Sequence, residues 1–162
     1  MITEKIQKAL NDQLREEYFS SYFYLSMAAY FEARNLKGFA HWMRVQSEEE
    51  RGHAMKFYAY INQRLGRVTL SAIDKPQFEW ASSLAVLEET YRHEQKITKS
   101  VNNLIDLMIA EKDYATNAFL QWFVTEQVEE ESNAADIVEK LKMVGDSKQG
   151  LMMLDSILGQ RK

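Results

Sequence analysis

The chain has 162 residues, of which 46% are apolar and 27% charged, a balance that supplies one packed domain and excludes wholesale disorder. One Pro and six Gly disfavour an all-β fold of many tight turns, and the absence of Cys excludes disulfides, thiolate metal sites, Fe–S clusters and cysteine nucleophiles. Twenty basic residues against 24 acidic ones give a formal charge of −4, which argues against a nucleic-acid partner because such a partner calls for a basic face.

The opening MITEKIQKAL carries Glu4 and lacks an apolar run of signal-peptide length. No stretch reaches the roughly 18 apolar residues of a bilayer span, so no membrane association is expected and a soluble, cytoplasmic protein is the expectation. Residues 3–33 form the first predicted helix, free of Gly and Pro, with Ile6, Leu10, Leu14, Tyr24 and Ala28 on one stripe. Asn35 to Gly38 reads as a break. The second predicted helix covers residues 39–65, with Met43, Gln46, Phe57 and Tyr60 along its stripe, and Gly66 is expected to end it. Residues 66–80 lack a helical period, and Asp74-Lys75-Pro76 within them is turn chemistry. A third helix is predicted over 81–110, with Leu87, Ile97, Val101, Leu104 and Met108 on its seam. Asp113 can cap a fourth over 114–144, whose seam holds Leu120, Phe123, Ala134, Ile137 and Leu141 before Gly145 closes it. A short apolar segment, 149–158, follows.

Each long helix of about 30 residues spans about 45 Å, and a connection of about 15 residues stretches to about 50 Å at most. The connection can therefore run the full length of a bundle. Short turns make the first two helices antiparallel and the last two antiparallel, which leaves the second and third parallel. The predicted fold is all-α, a four-helix bundle with one long crossover and a short fifth helix at the C-terminus, in a single domain over 1–162.

The seams also hold residues foreign to an apolar core. Glu17 lies on the first stripe, Glu50 and His53 on the second, Glu94 on the third, and Gln127 and Glu130 on the fourth. All are near the middle of their helices, and midpoints of packed helices meet at one level whatever their direction. A single Glu on an amphipathic helix is usually the edge of a solvated face, and a lone His is more often a hydrogen-bonded core residue. Tyr22, Tyr24, Tyr58 and Trp122 are by the same reasoning ordinary packing. What the bland reading does not account for is the conjunction of four helices that each place an acid at mid-seam, one with His at i+3. Clustered buried carboxylates repel and are costly to desolvate, and a multivalent cation relieves both. Carboxylates with one imidazole suit Fe, Mn or Zn.

The stretch Glu49-Glu50-Arg51-Gly52-His53-Ala54, with Glu17, Tyr24, Glu94, Gln127 and Glu130, resembles the ferritin family over essentially the whole chain, and most closely its prokaryotic non-haem members. The wider di-iron class of this fold carries Glu on two helices and Glu-x-x-His on the other two. Here the fourth helix has Gln127-x-x-Glu130 instead, as ferritins do. Haem-bearing bacterioferritins are similar but carry Met directly after the Glu of the second helix, where this chain has Arg51, so no haem is expected. Rubrerythrins carry cysteine pairs, and this chain has no cysteine.

The resemblance implies an iron-storage protein with ferroxidase activity, oxidising Fe²⁺ at a di-iron centre with O₂ or H₂O₂ and depositing ferric mineral inside a homo-oligomeric shell of 24 subunits. It implies one iron site at Glu17, Glu50 and His53, and a second at Glu50, Glu94 and Glu130, with Glu50 bridging and Gln127 nearby. Glu49, Glu126 and Glu129 match a third, outlying iron site, although a solvated acidic face explains them as well. Tyr24 matches the tyrosine beside the centre, where it would donate an electron, and Trp122 is a weaker candidate for that role. The tail segment and Val68–Ile73 are the expected contacts between subunits. The competing expectations are a di-iron oxidase or peroxidase without bulk storage, a bacterioferritin-like haem protein, and a metal-free helical scaffold.

Overall fold

A computed structural model describes all residues, 1–162. It is all-helical: α1 (Glu4–Ala33), α2 (Lys37–Gln63), α3 (Ser83–Ala110), α4 (Tyr114–Val144) and the short α5 (Lys148–Leu158). Four helices start on a side chain that accepts from an otherwise unpaired amide: Thr3 from Ile6, Ser82 from Ala85, Asp113 from Thr116 and Ser147 from Gly150. None of the helices is long and apolar enough to cross a membrane.

Cross-helix contacts fix the directions. Ser21 meets Ser47 and Tyr18 meets Met55, so α1 and α2 are antiparallel. Gln13 meets Ser100 and Ser20 meets His93, so α1 also opposes α3. The second and third helices are therefore parallel, and the connection between them must return the chain to the far end. It does so lying along α1: the amide of Asn11 donates to Arg67 O at 3.0 Å, its Oδ1 accepts from Thr69 N at 2.8 Å, and Ser26 Oγ donates to Gln77 O at 2.6 Å. At the end of the bundle Arg64 forks onto Asp113, with Nη1 3.1 Å from Oδ1. The expected four-helix bundle with one long crossover and a short fifth helix is the architecture observed.

Three boundaries, the two ends of α2 and the start of α3, differ from the sequence reading by two residues, each for a physical reason, while the starts of α1 and α5 differ by one. The second helix begins at Lys37, not 39, and Gly38 lies inside it. That glycine is a site of close approach rather than a break, since a Cβ there would sit 1.6 Å from Asp155 O of α5. The chain reverses instead at Asn35, in the left-handed region with φ 58°. Gly66 does not supply the left-handed residue after α2 either. Leu65 does, with φ 57°, and Gly66 N closes the turn onto Ile61 O at 2.9 Å. Its lack of a side chain leaves room for Ile2, whose Cδ1 would be 2.7 Å from a Cβ. The third helix begins at Ser83, two residues after the expected start, because Ser82 takes the capping position.

The seam residues named from periodicity are buried, except that Tyr60 is half-buried. They do not form one core. One apolar cluster packs Phe23, Met27, Phe31, Phe39 and Leu87 against α5, through Leu154 and Leu158. The other packs Ile6, Leu10, Phe57, Ile97 and Phe123 at the opposite end. A polar layer separates the two, and all four long helices contribute to it.

Candidate metal centre

The layer consists of Gln13 and Glu17 from α1, Gln46, Glu50 and His53 from α2, Glu94 from α3, and Gln127 and Glu130 from α4, every one of them buried. The helical repeat explains why each pair faces inward, since residues three or four apart share a face. Glu17 accepts at Oε1 from Gln13 Nε2 at 2.8 Å, while its buried Oε2 has no partner. Glu50 lies between Gln46 Nε2, at 3.2 Å, and His53 Nδ1, at 3.1 Å. Glu94 accepts from the Tyr24 hydroxyl and, at 3.1 Å, from Gln127 Nε2. Glu130 accepts from Gln46 Nε2 at 2.7 Å.

Three sets of potential ligand atoms gather here, each within a 4.8 Å span: Glu17, Glu50 and His53; Glu50, Glu94 and Glu130; and His53, Glu126 and Glu130. The first two sets share Glu50. Two of the three histidines are occupied elsewhere, His41 with Arg161 O at 2.6 Å and His93 with Ser20 Oγ at 2.7 Å. Only His53 faces the carboxylates. Its ring stands edge-on to Trp122 at 5.3 Å and Phe123 at 6.0 Å.

Electrostatics bears out the cost of this arrangement. Burial, reinforced by Glu50, pushes the Glu17 carboxyl up to about 8. Burial and the nearby Glu94 push Glu130 to about 7, and burial raises Glu94 itself to about 6. Glu50, buried and facing Glu94 and Glu130, is raised well above the carboxylate range, and Tyr24 is held well above its ordinary value by burial and by Glu94. Near neutrality the layer must therefore hold protons or cations. The orphaned Glu17 oxygen, an acid from each of the four long helices and one imidazole make a donor set suited to hard or borderline divalent ions. By contrast, burial first and then Lys96 lower His93 to about 4, so that ring stays neutral and serves as packing for Phe23 and Tyr24.

The outlying candidates do not come together as one group. Glu126 lies 3.7 Å from His53 Nε2. Glu49 pairs with Arg161, and Glu129 is exposed. Trp122 is 41% exposed and carries Lys56 over its ring at 4.3 Å. Arg51, the residue after Glu50, points to solvent and pairs with Glu48 at 3.0 Å. Sequence reasoning missed Gln13 as a partner of the layer and took Gln46 only as part of a seam, yet a pattern marks both: each lies four residues before a layer carboxylate, Glu17 and Glu50.

A four-helix bundle with one long crossover and a buried carboxylate–imidazole layer at mid-height is a ferritin-like metal-binding fold. Comparison with known proteins agrees. Residues 7–144 match the ferritin-like domain family. The chain is 48% identical over 161 residues to a bacterial non-heme ferritin of Bacteroides fragilis, covering 99% of this chain and 100% of that one. It is 38% identical to a bacterial non-heme ferritin of Campylobacter jejuni, covering 98% and 95% respectively. Among solved structures, an open pore ferritin from the hyperthermophilic archaeon Archaeoglobus fulgidus superposes with a TM-score of 0.99 at 50% identity over 100% of both chains. The chain belongs to the ferritin family, and its function is iron storage with ferroxidase activity.

Proposed function

We propose that the layer is a di-iron ferroxidase centre within each subunit. One Fe²⁺ is held by Glu17, Glu50 and His53 and the other by Glu50, Glu94 and Glu130. The observation that carries this reading is that two ligand sets, each spanning no more than 4.8 Å, share the carboxylate of Glu50. A shared carboxylate sets two ions side by side, so that each gives up one electron to the same oxidant, O₂ or H₂O₂. Carboxylates favour the ferric product because they are hard and anionic. Protons that occupy the raised carboxyls leave as the ions enter. Tyr24 and Gln127 orient Glu94 by donating to it, and Tyr24 is the candidate electron donor beside the centre. Glu126, with His53 and Glu130, offers a third position for iron on the way in or out, while Glu49 and Glu129 extend the acidic surface beyond it.

Bulk storage needs a cavity that one bundle lacks, so the subunits must enclose it together, in a shell expected to hold 24 copies. Two exposed apolar patches support this. One is on α5, at Met152, Met153 and Ile157, and the other runs along α1 and the crossover, at Tyr22, Leu25, Leu70, Ile73 and Phe78. The cytoplasm, where ferrous iron is available, is the proposed site of action.

The test is stopped-flow oxidation of Fe²⁺ by Glu50→Ala and His53→Ala. Both variants remove a ligand from the first set, and Glu50→Ala removes one from each of the two. Loss of the fast phase is expected, by more than the roughly 10–100-fold that removing a group hydrogen-bonded to a metal ligand costs in rate or affinity. Wild-type rates in both variants would refute the assignment.

A further inference from the structure

Gln46 stands where the two halves of the centre meet. Its fully buried amide donates from Nε2 to Glu50 at 3.2 Å and to Glu130 at 2.7 Å. A carboxamide can be turned either way, and the reversed orientation would aim Oε1 at two carboxylates. The correct orientation is set from the other side, where Oε1 accepts from Arg161 Nη1 at 2.9 Å. Arg161 is itself anchored at several points. Nη1 also donates to Trp42 O at 3.3 Å, and Nη2 donates to Glu49. The guanidinium lies over the Trp42 ring at 4.4 Å, and the residue's own carbonyl accepts from His41 at 2.6 Å. Its side chain is only 19% exposed although it follows the last helix.

We propose that Arg161 is a positioning residue for the metal centre: it locks the Gln46 amide so that Nε2 holds Glu50 and Glu130 in place for two ions. Arginine is always charged and cannot accept a hydrogen bond, so it tolerates only the Gln46 oxygen on its side. The segment after α5 is thereby tied to the carboxylates through a single side chain. The inference rests on the carboxylate layer being the metal centre.

The experiment is a titration of the assembled, metal-free protein with Co²⁺, a redox-inert probe whose visible bands report on ligand geometry. The wild type, R161Q, Q46L and the R161Q/Q46L double variant are compared. R161Q is expected to weaken Co²⁺ binding about three- to tenfold, the order of one lost buried hydrogen bond, and to alter the band pattern. Added to Q46L, it is expected to change nothing further, because the relay is already gone. If R161Q does not assemble, R161K carries the comparison, with a loss in the same direction, because a single ammonium on Glu49 no longer reaches Gln46. A titration that superimposes on wild type overturns the proposal. So does a loss of equal size with and without Gln46, which marks a general loosening of the tail. Glu50→Ala is run beside them. If it binds Co²⁺ as wild type does, the centre itself is misassigned, a failure distinct from that of Arg161.

Discussion

Replacing Glu17 by Gln separates the two demands on the carboxylate layer. Glu17 is fully buried, and its carboxyl is raised from 4.5 to about 8. A raised acid stabilises the fold fully below the unfolded value and loses that contribution as pH climbs through the folded value. At pH 7.5 the unfolded chain is about three units above its titration point, so keeping Glu17 protonated in the fold costs about 4 kcal/mol at 1.36 kcal/mol per unit. Glutamine is isosteric and neutral, and its oxygen can still accept from Gln13. The metal-free variant should therefore unfold in guanidinium at a higher concentration than wild type at pH 7.5, by the equivalent of roughly 2–4 kcal/mol, and the gap should close as pH falls toward 4.5. Divalent metal should reverse the order, because a ligand stabilises the folded state by an amount that grows with the logarithm of its affinity and an amide is the poorer ligand. Circular dichroism unfolding of both proteins at pH 5 and 7.5, with and without Zn²⁺, gives the gap under all four conditions. A gap that is the same at both pH values, or a metal-free variant less stable than wild type at pH 7.5, would contradict the electrostatic reasoning.

Two further substitutions probe the docking of α5 and the support of Glu94. Gly38→Ala places a methyl group 1.6 Å from Asp155 O, so α5 must shift and the bond from Phe39 N to Asp155 Oδ1 must break. A cost of about 1–3 kcal/mol is expected, read as a lower melting temperature with smaller assemblies on size exclusion, and an unchanged profile would show that α5 docks otherwise. Tyr24→Phe removes a donor from buried Glu94, costing about 1–3 kcal/mol in the unmetallated protein and slowing the fast oxidation phase. Wild-type kinetics in this variant would remove Tyr24 from the mechanism.

Much of the fold was legible because the apolar stripe on each long helix keeps its phase on either side of the acid that interrupts it. Leu10 to Ala28, Ile97 to Met108 and Phe123 to Leu141 each declare one buried face. The lengths of the helices and of the connection then leave one arrangement. The boundaries were harder because glycine carries two meanings. Gly38 and Gly66 are there for close packing against Asp155 and Ile2, whereas Asn35, Leu65 and Lys112 make the left-handed turns. Sequence alone does not tell a conformational glycine from a steric one.

The acids of the layer were visible for the opposite reason: each interrupts an apolar stripe at the same height. Their supporting amides were not, since Gln13 and Gln46 are ordinary helix residues until their spacing from Glu17 and Glu50 is noticed. Arg161 gives no local signal at all. Its contacts with Trp42, Gln46 and Glu49 exist only because α5 folds back onto α2.

Each subunit should bind a pair of irons before it stores many. Anaerobic titration with Fe²⁺, followed by aeration and a second count of iron per subunit, tests it directly. Saturation at about two Fe²⁺ per chain is expected without oxygen, and uptake far beyond that number once air is admitted. Saturation that fails to rise on aeration would contradict storage, and binding that never reaches a pair would contradict the shared Glu50 site.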